Sequence, residues 1–430
     1  MKKKIVLVLL VLLALSWYTA TKSYLGNSGK YKAAMNEAQK LEEKEIYITA
    51  IDSYQTAMTY KPNDLKAMYG IATDYKNLEE YDSYTKQMKS ILSTQGVQED
   101  ILQELYDYYI SQDMTNDADE LVYDLYRQHS DNALVASLYE ERKGDYFELF
   151  NSYEKLSSFE NNYTVYEKEG KQGLVDASGG VLIEARYDKI AVPDSTNGYI
   201  AVVDGSKAYY LNKKGYKIAE PDEKYSYLGP MGEGGILALK NGKYGYLNND
   251  FSEATKFEWD EATRIYDGVG AVKKGKKWAL INRKKELVTD YVYDDIITDD
   301  LGKCSVNGLV WAGKNGKYQL IDKEGNVLAK DYDGAKPFAS SEPCAAEKNG
   351  SWGFVNTSGE EVIECKYEDA ESFHKDFAPV KQHSAWGMID NSGKLVMDEK
   401  YDQLYPLNDK GTVVYAKEGI WGILQMKLYE

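Results

Sequence analysis

One column of residues governs the second half of the chain. Gln172, Ala208, Tyr244, Trp278, Tyr318, Trp352, Trp386 and Trp421 follow one another at spacings of 36, 36, 34, 40, 34, 34 and 35. Four residues on, Asp176, Asn212, Asn248, Asn282, Asp322, Asn356 and Asp390 form an unbroken Asp/Asn column, and glycine stands three further at 179, 215, 325, 359 and 393. Such a side chain accepts turn amides, and the glycine takes the positive φ that ends a short hairpin loop. Fifteen residues after the first column come Tyr187, Trp259, Tyr293, Tyr367 and Tyr401, each followed by an acid: Asp188, Asp260, Asp294, Glu368 and Asp402. Twenty-eight after it the position is apolar: Ile200, Ile236, Val272, Val306, Ala346, Val380 and Val414. This grammar predicts units of three antiparallel strands, such as 352–356, 361–367 and 377–381. Three strands cannot bury their faces alone, so the units must pack side by side.

The ends of this region point to closure. It opens on a lone third-type strand (164–169) and finishes on a lone first-type strand (420–425). An incomplete unit split between two ends latches a circular assembly and leaves only short, protected edges, whereas an open solenoid needs caps. The expectation is a propeller-like disc of seven units with an eighth composite one, bringing residues near 165 and 421 together. The motif Trp-Gly-x-x-Asp/Asn with the later Tyr-Asp resembles the WG-repeat family of bacterial proteins, over 163–430. Units one and two depart from it at Gln172 and Ala208.

The first half has another grammar. Only five of the 35 glycines and one of the seven tryptophans precede residue 160. From Tyr31 to about Ser157 apolar residues follow a helical period, broken about every 17 residues by polar turns. Folding the segment on 34 residues aligns Ala50, Tyr54 and Ala57 with Tyr84, Met88 and Ile91 and with Ala118, Val122 and Leu125. Met68, Ala72 and Tyr75 lie on the preceding helix of the middle unit, and Pro62 with Asn63-Asp64 punctuates the first. The pattern resembles the tetratricopeptide repeat over roughly 31–130, with 132–157 read as a degenerate helical cap. The resemblance implies a helical superhelix that binds extended peptides; the alternative is a helical spacer.

Lys2, Lys3 and Lys4 precede an apolar run from Ile5 to Leu15, with Trp17 and Tyr18 beyond it. A charged start before an apolar run is a targeting pattern. It is read as an uncleaved signal anchor with the body outside the membrane, the alternative being secretion after cleavage near Ala14-Leu15-Ser16. The fold class is then multidomain α and β: a membrane-anchor helix and linker over 1–30, a tetratricopeptide-like α-solenoid over 31–157, and a β-propeller-like domain of three-stranded units over 158–430.

Chemistry is scarce. Three histidines (His129, His374, His383) and three cysteines (Cys304, Cys344, Cys365) leave little for a metal centre, an imidazole relay or a disulfide framework. Cys304 and Cys344 share a column of small residues and read as packing groups. With 52 basic against 69 acidic residues the net charge is −17, and only five of the basic residues are arginine, which disfavours a phosphate backbone as partner. Acids that recur with the architecture cap turns or line a rim, whereas a catalytic pair would occur once. No catalytic, cofactor-binding or metal residue is assigned, and no cofactor. The expected function is a membrane-anchored, extracytoplasmic scaffold for protein–protein interaction in a bacterial cell envelope, not an enzyme and not a nucleic-acid binder. The alternative is a cell-wall glycan-binding protein using exposed aromatics such as those around Tyr209-Tyr210 and Tyr244-Gly245-Tyr246. A hydrolase with carboxylates in the disc's central cleft is the third reading.

Overall fold

The computed structural model describes residues 26–428 apart from 150, 194–197, 222 and 223. The chain divides into two compact units, one up to Arg142 and one from Lys143 on.

Among the described residues the first unit is a series of seven helices: α1 over 26–42, α2 Tyr47–Tyr60, α3 Leu65–Asn77, α4 Tyr81–Gln95, α5 Glu99–Ser111, α6 Thr115–His129 and α7 Ala133–Arg142. The starts of α2, α4 and α6 are 34 residues apart, and so are those of α3, α5 and α7. From α2 on, each helix packs on its neighbours in the chain. The aligned triplets are the buried seam: Ala50, Tyr54, Ala57, Tyr84, Met88, Ile91, Ala118, Val122 and Leu125 all lie inside. Close packing explains the small residues among them. A Cβ on Gly70 would stand 2.5 Å from the Tyr54 ring, so only glycine fits there. The turn signals are helix caps. Asp64 Oδ1 accepts from the Ala67 amide (3.2 Å), and one double repeat later Asn132 Oδ1 accepts from Val135 (3.1 Å).

The membrane-anchor helix expected at the N-terminus finds no support, and the membrane localisation built on it is withdrawn. No helix among the described residues is long and apolar enough to cross a membrane. The stretch on which the anchor was placed, within residues 1–25, lies outside the described residues.

The second unit is an eight-bladed β-propeller rather than a disc of three-stranded units. Blade I comprises Lys155–Leu156, Tyr163–Lys168, Lys171–Asp176 and Val181–Tyr187, and six of the blades have four strands in this antiparallel order. The overlooked strand is the first of each blade. It has only two residues (Lys189–Ile190, Asp295–Ile296, Asp369–Ala370) and follows the Tyr-Asp pair almost directly, too briefly for alternation to show. The sequence unit therefore straddles two blades. Trp352 begins the third strand of blade VI, Glu361–Tyr367 is its fourth, and Phe377–Gln382 is already the second strand of blade VII. Blades III and IV have three regular strands. Their outer edge is met by isolated bridges (Tyr244 with Trp259, Trp278 with Tyr293) and by the Thr255 and Thr289 hydroxyls, which accept from the Tyr246 and Leu280 amides.

Closure is literal. Blade VIII takes Gln403–Leu404, Thr412–Lys417 and Ile420–Met426 from the end of the chain, and its outer strand, Tyr146–Glu148, from before blade I. That outer strand falls in the stretch expected to be a helical cap; Thr164 belongs instead to the complete blade I. Each blade buries one face on the next, giving eight cores for eight junctions. The junction of blades VIII and I, with Leu156, Tyr166 and Val175 against Val414 and Ile423, is one of them.

The Trp-Gly pair has a steric cause. A Cβ on Gly353 would lie 2.6 Å from the Ile363 carbonyl oxygen, and on Gly387 2.6 Å from that of Met397. At both places the register of the fourth strand slips, as in a β-bulge pressed against the glycine.

Candidate functional site

The recurring acids join blades. Asp188 accepts from the Gly205 amide in the second-to-third-strand turn of blade II (2.7 Å) and pairs with Lys171 of blade I. Asp260 does the same with Gly275 (2.7 Å) and Lys243, and Asp294 with Asn315 (2.9 Å) and Lys277. Glu368 and Asp402 accept from Ser384 (3.0 Å) and Gly419 (3.1 Å). Asp333 completes the set with Asn349 (2.8 Å) and Lys317. It escapes the sequence column because Tyr332 stands fourteen, not fifteen, residues after Tyr318. The lysine and the turn amide hold the Asp188, Asp260, Asp294 and Asp333 carboxyls below their ordinary range. The Asp/Asn column likewise caps turns: Asp176 Oδ1 accepts from Ser178 (2.9 Å) and Gly180 (3.0 Å), and Asn356 Oδ1 from Ser358 (3.0 Å) and Glu360 (2.9 Å).

The other singled-out residues are dispersed. All three cysteines are free. Cys304 meets Thr263 Oγ1 at 3.2 Å, and Cys344 accepts from the Trp311 indole at 3.2 Å. Burial pushes both thiols up to about 12, and that of Cys365 up to about 11. His374 bonds the Leu407 carbonyl (2.7 Å) and faces Asp409 (3.0 Å), while His383 lies 3.6 Å from Glu399 on the surface. Among the described residues no group of three or more His, Cys, Asp or Glu side chains is placed to hold a metal ion. Tyr210 and Tyr246, proposed as glycan platform, are buried between blades, their hydroxyls donating to the Gly229 and Thr263 carbonyls (2.8 and 2.7 Å).

What does not recur lies on the axis. The unit with the 40-residue spacing carries its extra length between Ile296 and Val310, a thirteen-residue segment where other blades use six to nine. This segment reaches from blade V across the centre. The Gly302 carbonyl accepts from the Arg264 amide (3.1 Å), and Leu301 packs on the core shared by blades I and II. Asp299 Oδ1 accepts from Leu301 (3.0 Å) and Lys303 (2.8 Å), which fixes the bend. Around it charges converge. Arg264 of blade IV donates to both carboxylate oxygens of Glu160, in blade I. Lys303 stands 3.5 Å from Glu160 and from Asp299, with its ammonium 4.8 Å from the centre of the Tyr266 ring. Beside them Lys336 of blade VI bonds Glu371 of blade VII at 3.0 Å; burial pushes the Glu371 carboxyl up to about 7 against that ammonium. Tyr405 of blade VIII faces Asp300, and burial pushes its hydroxyl well up.

The segment leaves part of the channel open. A cavity of about 730 Å³ remains against blades I to IV, walled by Leu156, Ile190, Val192, Leu228, Leu237 and Leu301, with Lys155 and Lys189 exposed among its lining. The spacing of 40 was the one signal in the sequence that marked this place.

The model of the family described as WG containing repeat matches the chain at 173–207, 244–278 and 352–384. Each match runs from the third strand of one blade to the second hairpin of the next. None of the curated proteins matches the chain. Solved structures similar to it include a eukaryotic initiation factor, at 12% identity over 60% of this chain and 79% of that one, with a TM-score of 0.39. Hsv2 of Kluyveromyces lactis is similar at 10% identity over 64% and 98%, with a TM-score of 0.34. PorZ of Porphyromonas gingivalis, an essential bacterial surface component of the type-IX secretion system, is similar at 12% identity over 67% and 38%, also at 0.34. Likenesses at this level carry no functional argument.

Proposed function

We propose that this WG-repeat propeller protein is a non-catalytic scaffold that holds other proteins through its helical array and its propeller. The observation that carries the reading is the fate of the charged groups. The recurring acids are occupied in joining blades, and the deepest non-recurring group, Glu160 with Arg264 and Lys303, is neutralised within itself. Catalysis would need an activated nucleophile or an acid–base pair within reach of a substrate, and these pairs are satisfied by one another. The 34-residue helical series supports a tetratricopeptide-like role for the first unit, since stacked helix pairs present long surfaces to extended partners. Tyr69, Tyr81 and Ile110 are large side chains that this series leaves exposed.

The test is in-cell crosslinking of the full chain, with mass spectrometry of what it captures, beside a variant in which Tyr69, Tyr81 and Ile110 become serine. The reading expects the same partner in replicate captures and its loss from the variant. It fails if captures of the two chains are indistinguishable from an unrelated bait, or if the purified chain turns over a substrate and Glu160→Gln abolishes that turnover.

A further inference from the structure

We infer that the open half of the propeller channel is a binding site for a short apolar peptide held by its charged termini. The cavity volume, about 730 Å³, lies within the range of small-ligand pockets, roughly 300–1,000 Å³, and exceeds what a single amino acid fills. Its wall is largely aliphatic, through Leu156, Ile190, Val192, Leu228, Leu237 and Leu301. Such a surface in a monomeric fold is covered at a cost in solvation unless something apolar occupies it.

The polar groups set into that wall are of two kinds, and they are separated. Lys155 and Lys189 come from the first strands of neighbouring blades I and II and form no ion pair with a described residue. The acids near them are engaged: Asp188 with Lys171 and the Gly205 amide, Glu167 with the Gln172 side chain at 3.1 Å. The two ammonium groups thus remain available to a carboxylate. Asp300, by contrast, is on the crossing segment, exposed, and meets the Tyr405 hydroxyl, with no cation at ion-pair distance. It is available to an ammonium group. The hydroxyls of Tyr227 and Tyr244 line the space between and donate to no described residue. A zwitterion with an apolar body matches this arrangement, while a simple anion or cation would leave one end of the site uncompensated.

The segment 297–309 makes the site one-sided. Without it the channel would be open across its whole width, and Leu301 and Asp300 would not bound the cavity. The extra length in blade V is therefore the device that turns a structural channel into a pocket.

The test is calorimetric titration of the full chain with tri-leucine, N-acetyl-tri-leucine and tri-leucine amide. The expected result is one-site binding of the free peptide, weakened roughly tenfold or more by either cap, as for loss of a charge-assisted hydrogen bond. The Lys155→Gln/Lys189→Gln variant should lower affinity for the free peptide and be indifferent to the C-terminal amide. Asp300→Asn should lower it and be indifferent to the acetyl cap. Absence of saturable binding of tri-leucine, or equal affinity for the free and capped peptides, overturns the proposal on the unaltered protein alone, whatever the variants do.

Discussion

Arg264 Nη1 donates to both carboxylate oxygens of Glu160, at 3.1 Å each, joining blade IV to blade I through the centre of the propeller. Both side chains are under 10% exposed. Glu160→Gln leaves Arg264 and Lys303 without their common counter-charge, and loss of one partner from a buried pair costs about 3 kcal/mol. Chemical denaturation followed by intrinsic fluorescence should show that loss. Arg264→Gln added to Glu160→Gln should cost less than the two single changes summed, and strict additivity would mean that the pair contributes nothing jointly.

In the helical array, Asp74 is fully buried near Glu42, and burial, then that charge, pushes its carboxyl up to about 7. The unfolded chain releases this proton near pH 4, so between about 4 and 7 the folded state binds the proton more tightly. Stability of the array is full below that window and falls as pH rises through it, by roughly 2 kcal/mol. Thermal unfolding followed at 222 nm should show the fall, and Asp74→Asn should abolish it. A wild-type profile that rises across this window would contradict the assignment.

Gly353 and Ala279 occupy the same column with opposite tolerances. A Cβ at Gly353 meets the Ile363 oxygen at 2.6 Å, whereas blade IV, which lacks a regular fourth strand, accommodates the Ala279 methyl in its core. Gly353→Ala should lower the propeller's stability by about 1–3 kcal/mol. Ala279→Gly should cost about 1 kcal/mol or less through backbone freedom and lost packing. Calorimetry on the two variants decides the order, and a harmless Gly353→Ala would refute the steric account of the Trp-Gly pair.

Lys285 stands at φ 68° where five other units place glycine in the same turn. Lys285→Gly relieves a left-handed residue that costs about 1–2 kcal/mol and gives back part of that as chain entropy, for a net gain of about 0.5–1 kcal/mol. A raised melting temperature is expected. Phe251, at φ 69° in the equivalent position, should not behave so, because its ring packs on Tyr210 at 5.7 Å.

Repetition decided what could be read from the sequence. Turn caps such as Asp176 and Asn356, the buried helix triplets and the blade-joining acids were legible because each recurs with a fixed offset. The first strands were not, since two residues such as Asp369–Ala370 carry no period. Nor was the strand Tyr146–Glu148, which has no neighbour in sequence to pair with and finds its partner only at Ile420–Met426. The ion pair of Glu160 with Arg264 is likewise invisible in a linear pattern, because its members stand 104 residues apart and occur once. Only the unit of 40 residues hinted that the axis was occupied.

The pairing of Tyr146 with Met426 also fixes an order in time. On the ribosome the outer strand of the last blade emerges before any other part of the propeller, and it must wait, edge exposed, until the final strand is made. Until then every blade already formed belongs to an open arc with two unsatisfied ends. Truncation beyond blade VII would thus not yield a smaller ring but an arc with a free strand edge, the kind of surface that pairs with another copy.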